Sequence, residues 1–204
     1  MKQSIHETES LDRYITEISR YPVLSREEEQ TVAEQFLASE DMNAAHKLVS
    51  SNLKFVVKIA HEYRGYGLPL PDLIQEGNVG LMMAVKKFDP KKGYRLISYA
   101  FWCIRAYIQN YVMSTWSLVK IGTTQAQRKL FFKLRSERMR SNKAAGPGNT
   151  ATVEEIAQRL AVPESEVSKM ELRLAARDFS LDAEVSNEGH FTYVERLEDQ
   201  QESQ

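Results

Sequence analysis

From Asp72 to Val112 the apolar residues recur at helical spacing twice in succession, with one break at Asp89-Pro90-Lys91-Lys92-Gly93. A chain with that pattern folds as helix on helix, because each apolar stripe must be covered by another. At about 100° per residue, Ile74, Leu81, Val85 and Phe88 fall on one side of the first helix and form its core stripe. Asp72, Gln75, Glu76, Val79, Met82, Met83 and Lys86 fall on the opposite side. Gly77 and Gly80 weaken a helix by about 1 kcal/mol each relative to alanine, which is tolerated where another element packs closely. In the second helix Ile97, Phe101, Ile104, Ile108 and Tyr111 share the core face. Tyr99, Trp102, Cys103, Ala106, Gln109 and Asn110 face away from it.

Each outward face departs from a plain soluble helix. Methionine interleaved with acid suits an adaptable protein-binding surface. Aromatics left outside a complete core stripe, near Lys91, Lys92, Arg95 and Arg105, suit a platform on which unpaired bases stack. The plainer alternatives are a solvated polar face for the first helix and a covering element over the aromatics of the second.

The remaining chain also reads as helix, since β-branched alternation is absent. Residues 1–9 read as a disordered tail. A helix is expected from about Leu11 to Arg20, ending near Tyr21-Pro22. Ser25-Arg26-Glu27-Glu28 is a capping box that opens a helix to about Ser39. A third helix is expected from about Asn43 to Tyr63. Residues 65–71 break the chain with glycine and proline. After Ser114, Ala126 to Arg140 is helical in composition, and Ser141 to Ala151 is a loop. Thr152 to Arg177 reads as helix-turn-helix, with a capping box at Thr152 and Glu155 and a break at Ala161-Val162-Pro163. From Asp178 the chain turns acidic and polar, and Ser186 to Gln204 is expected to lack a fixed fold alone. Trp116, Leu118, Val119 and Ile121 are expected to cover the end of the preceding helix.

Charge sharpens this. The net charge of −1 conceals three blocks. Residues 1–85 carry 8 basic and 13 acidic side chains, residues 86–143 carry 14 and 2, and residues 144–204 carry 5 and 13. A basic middle block between acidic ends points to nucleic acid at the centre and different partners on either side.

DLIQEGNVGLMMAVKKFD, followed by GYRLISYAFWCIRAYI, resembles region 2 of the bacterial sigma-70 superfamily of RNA polymerase sigma factors. Gln127 to Arg135, QRKLFFKLR, resembles the segment that marks the heat-shock group. The resemblance runs from about Leu11 to about Glu184. It implies an all-α, multi-domain architecture. Residues 1–9 are then a tail, 10–122 a helical bundle of regions 1.2 and 2, and 123–178 a three-helix region 3 domain containing the helix-turn-helix. Residues 179–204 are the start of an acidic flexible linker that occupies the polymerase channel.

The resemblance also assigns roles. Asp72, Gln75, Glu76, Asn78 and Met82 match positions that meet a coiled coil on the largest subunit of core RNA polymerase. Asn78 lies off the outward face and rests on the resemblance alone. Gln127, Arg128, Lys129, Leu130, Phe131 and Phe132 of the heat-shock segment are added to the polymerase contacts. Phe88, Tyr94, Tyr99 and Trp102 match aromatic positions that capture single-stranded non-template bases of the minus-ten promoter element. Lys92, Arg95 and Arg105 match cations that hold the DNA backbone. Ala106 and Gln109 match positions that read the upstream edge of that element. Primary sigma factors carry two tryptophans where this chain has Trp102-Cys103, so half of that wedge is missing.

The implied function is a promoter-specificity subunit of heat-shock type, with chaperones and proteases as regulators and a cytoplasmic location. The alternative is a stand-alone helix-turn-helix regulator of duplex DNA. Family members usually continue into a domain for the minus-thirty-five element, which this sequence does not contain, so weak promoter recognition alone is expected. An enzyme is not expected, since no glycine-rich phosphate loop or nucleophile–base arrangement is present. One cysteine and four histidines offer no metal-site spacing, and no cofactor or small-molecule substrate is expected. No run of about 18 apolar residues marks a membrane span.

Overall fold

The fold was analysed in a computed structural model, which describes residues 2–145, 152–175, 178–186 and 189–197. The chain divides into two units, residues 1–116 and 117–204.

The first unit contains α1 (Lys2–Ile18), α2 (Arg26–Ser39), α3 (Met42–Glu62), α4 (Leu70–Lys87) and α5 (Leu96–Thr115). Its starts are set by local chemistry. At α2 the Ser25 hydroxyl accepts from the Glu28 amide at 3.1 Å, and the Glu28 carboxylate accepts from the Ser25 amide at 2.9 Å, closing the expected capping box. Asp41 accepts from the Asn43 amide to start α3. α4 places Asp72 in its first turn and Lys86 and Lys87 in its last, charges that complement the helix dipole. Gly93 ends the turn before α5 with φ +73°, a left-handed conformation that glycine adopts without penalty.

α4 and α5 pack on each other through rows spaced four residues apart, the ridge arrangement common between helices. Leu73, Gly77, Leu81 and Val85 are buried on α4, and Leu96, Ala100, Ile104, Ile108 and Val112 on α5. A side chain begun at Gly80 would stand 2.8 Å from the Ile104 α-carbon and 3.0 Å from the Cys103 carbonyl oxygen. One begun at Gly77 would stand 2.5 Å from a methyl of Val56 on α3. Both glycines therefore sit where a neighbouring helix approaches closely, which offsets their cost in helix propensity.

Two expectations need correction here. α1 starts at Lys2, so helix takes in residues 2–9, assigned above to a disordered tail. The fully buried α5 row runs through Leu96, Ala100 and Val112, while Ile97, Phe101 and Tyr111 are half-buried at its margins. Ala100 contributes little apolar area to a periodicity count, yet its small size permits close helix approach. Phe88 ends α4 inside the core at 7% exposure, as its place in the stripe requires.

The second unit contains α6 (Gln125–Ala145), α7 (Val153–Leu160) and α8 (Glu164–Ala175), with strands β1 (Glu184–Ser186) and β2 (Gly189–Thr192). Leu130, Phe131 and Leu134 of α6, Ile156, Ala157 and Leu160 of α7, and Val167 and Met170 of α8 are buried. Thr152 accepts from the Glu155 amide to cap α7, and Ala161 turns the chain with φ +49° into Pro163 and α8. The helix-turn-helix is thus formed; its expected last residues, Ala176 and Arg177, lie outside the described residues. α6 continues to Ala145, beyond the expected helix end at Arg140, and residues 146–151 of the expected loop lie outside the described residues.

The architecture is all-α with one departure. β1 and β2 pair antiparallel within residues 179–204, expected to form a flexible linker. Phe179 and Tyr193 stack edge-to-face at 4.4 Å beside them. Acidic composition concealed this, because it averages away the few aromatics of the segment. Residues 198–204 lie outside the described residues.

Candidate protein and nucleic-acid interface

α4 turns Asp72, Gln75, Val79 and Met82 outward, with Glu76 half-buried beside them. Asp72 accepts from the Tyr111 hydroxyl at 3.3 Å. Burial, and then the Asp72 charge, hold the Tyr111 hydroxyl above the usual tyrosine pKa. Asn78 is placed differently. Its side-chain NH2 donates to the Tyr14 hydroxyl of α1 at 3.0 Å and to Gln75 Oε1 at 3.3 Å. Its Oδ1 is buried and finds no hydrogen-bond partner among the described residues. Of the five residues matched to the coiled coil, four border the open face and Asn78 lies against α1.

The face of α5 is open in the same way. Trp102 is 68% exposed, Tyr99 is 38% exposed, and Tyr94, just before the helix, is 73% exposed. Trp102 meets the Phe101 ring edge-on at 5.2 Å, and the Arg105 guanidinium lies 5.8 Å from the Phe101 centroid. Phe101 thus props both a platform aromatic and a cation. Lys91, Lys92 and Ala106 are exposed. Gln109 is half-buried and donates to the hydroxyl of Tyr63, the residue that caps the end of α3, at 3.0 Å. Burial raises the Tyr63 pKa, opposed by the Arg105 charge and by the bond from Gln109. Partial desolvation, and then the neighbouring Cys103 thiol, raise the pKa of Tyr99.

Two expected DNA contacts are engaged within the fold instead. Phe88 is a core residue and presents no stacking face. Arg95 is committed to α2: its Nε donates to Glu29 Oε1 at 3.0 Å, and one terminal nitrogen donates to Glu29 Oε2 and the Leu24 carbonyl, each at 3.1 Å. The Glu29 carboxylate raises the Arg95 pKa. Sequence reasoning missed Glu29, since one acid within Glu27-Glu28-Glu29 looks solvated, yet it is 3% exposed.

In the second unit, much of the heat-shock segment serves the fold. Leu130 and Phe131 are buried and cannot meet a partner without unfolding the unit. Phe132 is half-buried with its ring edge-on to Phe131 at 5.0 Å. Lys129 donates to the Leu160 carbonyl of α7. Gln127 donates to Glu166 of α8 at 3.2 Å and accepts from the Thr123 amide at 3.1 Å. Arg128 is exposed. Glu164 and Glu166 open α8, an unfavourable charge for a helix end facing phosphate. α6 instead exposes Arg128, Lys133, Arg135 and Arg140.

Leu118 and Val119 are 95% and 76% exposed. Asp178 holds their loop by accepting from the Leu118 amide at 2.6 Å and the Ser117 hydroxyl at 2.8 Å. Those bonds, the backbone one foremost, lower the Asp178 pKa. Among the described residues no group of His, Cys, Asp or Glu could hold a metal ion. No helix of the described residues is long and apolar enough to cross a membrane.

Outward aromatics on α5, near Lys91, Lys92 and Arg105, lie on a helix packed against α4, which turns Asp72, Gln75 and Met82 outward, a surface chemically suited to nucleic acid. Comparison with known families makes this specific. Residues 9–41 match sigma-70 factor region 1.2, residues 48–117 match sigma-70 region 2, and residues 146–204 match sigma-70 region 3. The chain is 53% identical over 196 residues to the RNA polymerase sigma-C factor of Myxococcus xanthus, covering 96% of this chain and 66% of that protein. It is 49% identical over 195 residues to RNA polymerase sigma factor RpoH of Caulobacter vibrioides, covering 94% and 65%. It is 55% identical over 148 residues to the sigma-B factor of Myxococcus xanthus, covering 72% and 60%. The chain belongs to the sigma-70 family of RNA polymerase sigma factors. It spans slightly less than two thirds of the length of these relatives.

Proposed function

We propose that this chain is the polymerase-docking and strand-opening part of a promoter-specificity factor of heat-shock type, acting in the cytoplasm and without catalysis of its own. The observation that carries the reading is Trp102, exposed beside Tyr99 on a helix whose other side is packed on α4. An exposed tryptophan in basic surroundings gains by stacking on an unpaired base, about 1–3 kcal/mol per base. That gain offsets the few kcal/mol needed to unstack a base. Lys91, Lys92 and Arg105 supply phosphate contacts.

The outward side of α4 suits a basic protein partner, which in this reading is the coiled coil of the largest polymerase subunit. Asp72 and Glu76 steer its approach, and Met82 adapts to its surface. Because α4 and α5 pack through buried rows, docking on one fixes the position of the other. RpoH-named relatives support the heat-shock assignment, and regulation by chaperones and proteases is the expectation that follows. Glu164 and Glu166 at the start of α8 weigh against a free-standing duplex regulator.

The test pairs two binding measurements. The chain should copurify with core RNA polymerase, and the complex should retain a single-stranded minus-ten oligonucleotide. Tight binding of duplex DNA by the chain alone, with no affinity for polymerase, would replace this reading with the duplex-regulator one.

A further inference from the structure

Tyr94 stands at the entrance to α5 with 73% of its surface exposed, and the backbone on both sides of it is held by another helix. Arg26 of α2 donates to the Gly93 carbonyl at 2.8 Å. Glu29, one turn further along α2, binds the Arg95 guanidinium and accepts from the Leu96 amide at 2.9 Å. α5 has no side-chain cap from its own N-cap residue, Arg95. Its orphan first-turn amide is satisfied by a buried carboxylate from residue 29, a charge that also suits the positive end of the helix dipole.

We propose that Arg26 and Glu29 are positioning residues for strand opening: α2 fixes Tyr94 and the first turn of α5 in the register that receives an unpaired base. This rests on the reading of Tyr94, Tyr99 and Trp102 as the stacking platform. A stacking ring must lie parallel to its base, and a turn containing Gly93 has backbone freedom that would let Tyr94 wander. Anchors at Arg26 and Glu29, three residues apart on one helix, remove that freedom. They also account for the guanidinium of Arg95, beside the platform, being engaged by Glu29 while still partly exposed. Arg95 acts through Glu29 on geometry, whereas Lys91 and Lys92 remain exposed for phosphate.

The test uses the full chain bound to core polymerase, with a fork-junction DNA whose non-template minus-ten strand is single-stranded. Glu29→Gln keeps the side-chain volume and one acceptor, and Arg26→Ala alters an exposed residue, so a folded protein is available in at least one case. Each should weaken fork binding by about tenfold, the scale of one lost charge-assisted hydrogen bond, with polymerase affinity unchanged. Combining either with Tyr94→Ala should add little to the loss from Tyr94→Ala alone, because the positioning acts through that ring. Normal fork binding in both single variants, fully additive losses, or an equal loss of polymerase affinity would overturn the proposal while leaving the platform intact. If Tyr94→Ala, Tyr99→Ala and Trp102→Ala all bind the fork normally, the platform reading fails and this inference fails with it.

Discussion

The α-carbon of Ile104 lies 2.8 Å from the point where a side chain on Gly80 would begin. That closeness makes α4 and α5 one block. The neighbour is backbone and cannot turn aside. Gly80→Ala should therefore destabilise the first unit by about 3 kcal/mol, the upper range for overpacking. Gly93→Ala meets open space but a φ of +73°, and should cost about 1 kcal/mol. Urea denaturation of both variants checks the ranking; equal losses would mean that the helices do not approach this closely.

Arg95 and Lys92 should part company, although both match backbone-holding cations. Lys92→Ala should lower the slope of log affinity against log salt by about 1 for fork DNA, as for one lost phosphate contact. Arg95→Ala should leave that slope unchanged and instead lower thermal stability, because it strands the buried Glu29 carboxylate. Salt titrations and melting curves of the two variants separate these outcomes.

The heat-shock segment divides in the same manner. Leu130→Ala should destabilise the second unit by about 2–5 kcal/mol through the cavity it leaves. Arg128→Ala should stay within about 0.5 kcal/mol of the parent, as exposed substitutions do. If Leu130→Ala keeps full stability but loses polymerase affinity, then this segment docks through Leu130 after all, and its burial misleads.

Alkaline pH offers an independent check on the α3–α5 contact. The Tyr63 pKa is raised in the folded protein by burial, against the opposing Arg105 charge. A raised folded value means the contribution is fully present below the ordinary tyrosine pKa of about 10. It is lost as pH climbs through the folded value. Tyr63→Phe should flatten the fall in stability above that pH, followed by denaturant midpoints across the range. An unchanged slope would show that Tyr63 ionises as it does in the unfolded chain.

The α4 stripe was legible because Ile74, Leu81, Val85 and Phe88 are large and regularly spaced, and the outward Trp102 because the α5 stripe was complete without it. What escaped had physical causes. Ala100 carries too little apolar area to shift a periodicity count, although it lies buried within the packed row. Glu29 is hidden in a run of three acids, and its burial follows only from Arg95 and the Leu96 amide, more than sixty residues away in sequence. Phe88 and Leu130 matched functional positions and core positions at once, and packing decided between them. The hairpin of β1 and β2 lies in an acidic stretch, and the Phe179–Tyr193 pair beside it is averaged away by composition.

The central claim is that one rigid pair of helices divides docking from opening. Permanganate reactivity of thymines in the minus-ten element, measured on promoter complexes with core polymerase, tests it most directly, with polymerase copurification recorded in parallel. Tyr99→Ala and Trp102→Ala should copurify normally and lose thymine reactivity, whereas Asp72→Lys and Glu76→Lys should lose copurification. Normal thymine reactivity in both aromatic variants, or normal copurification in both charge reversals, would contradict the account.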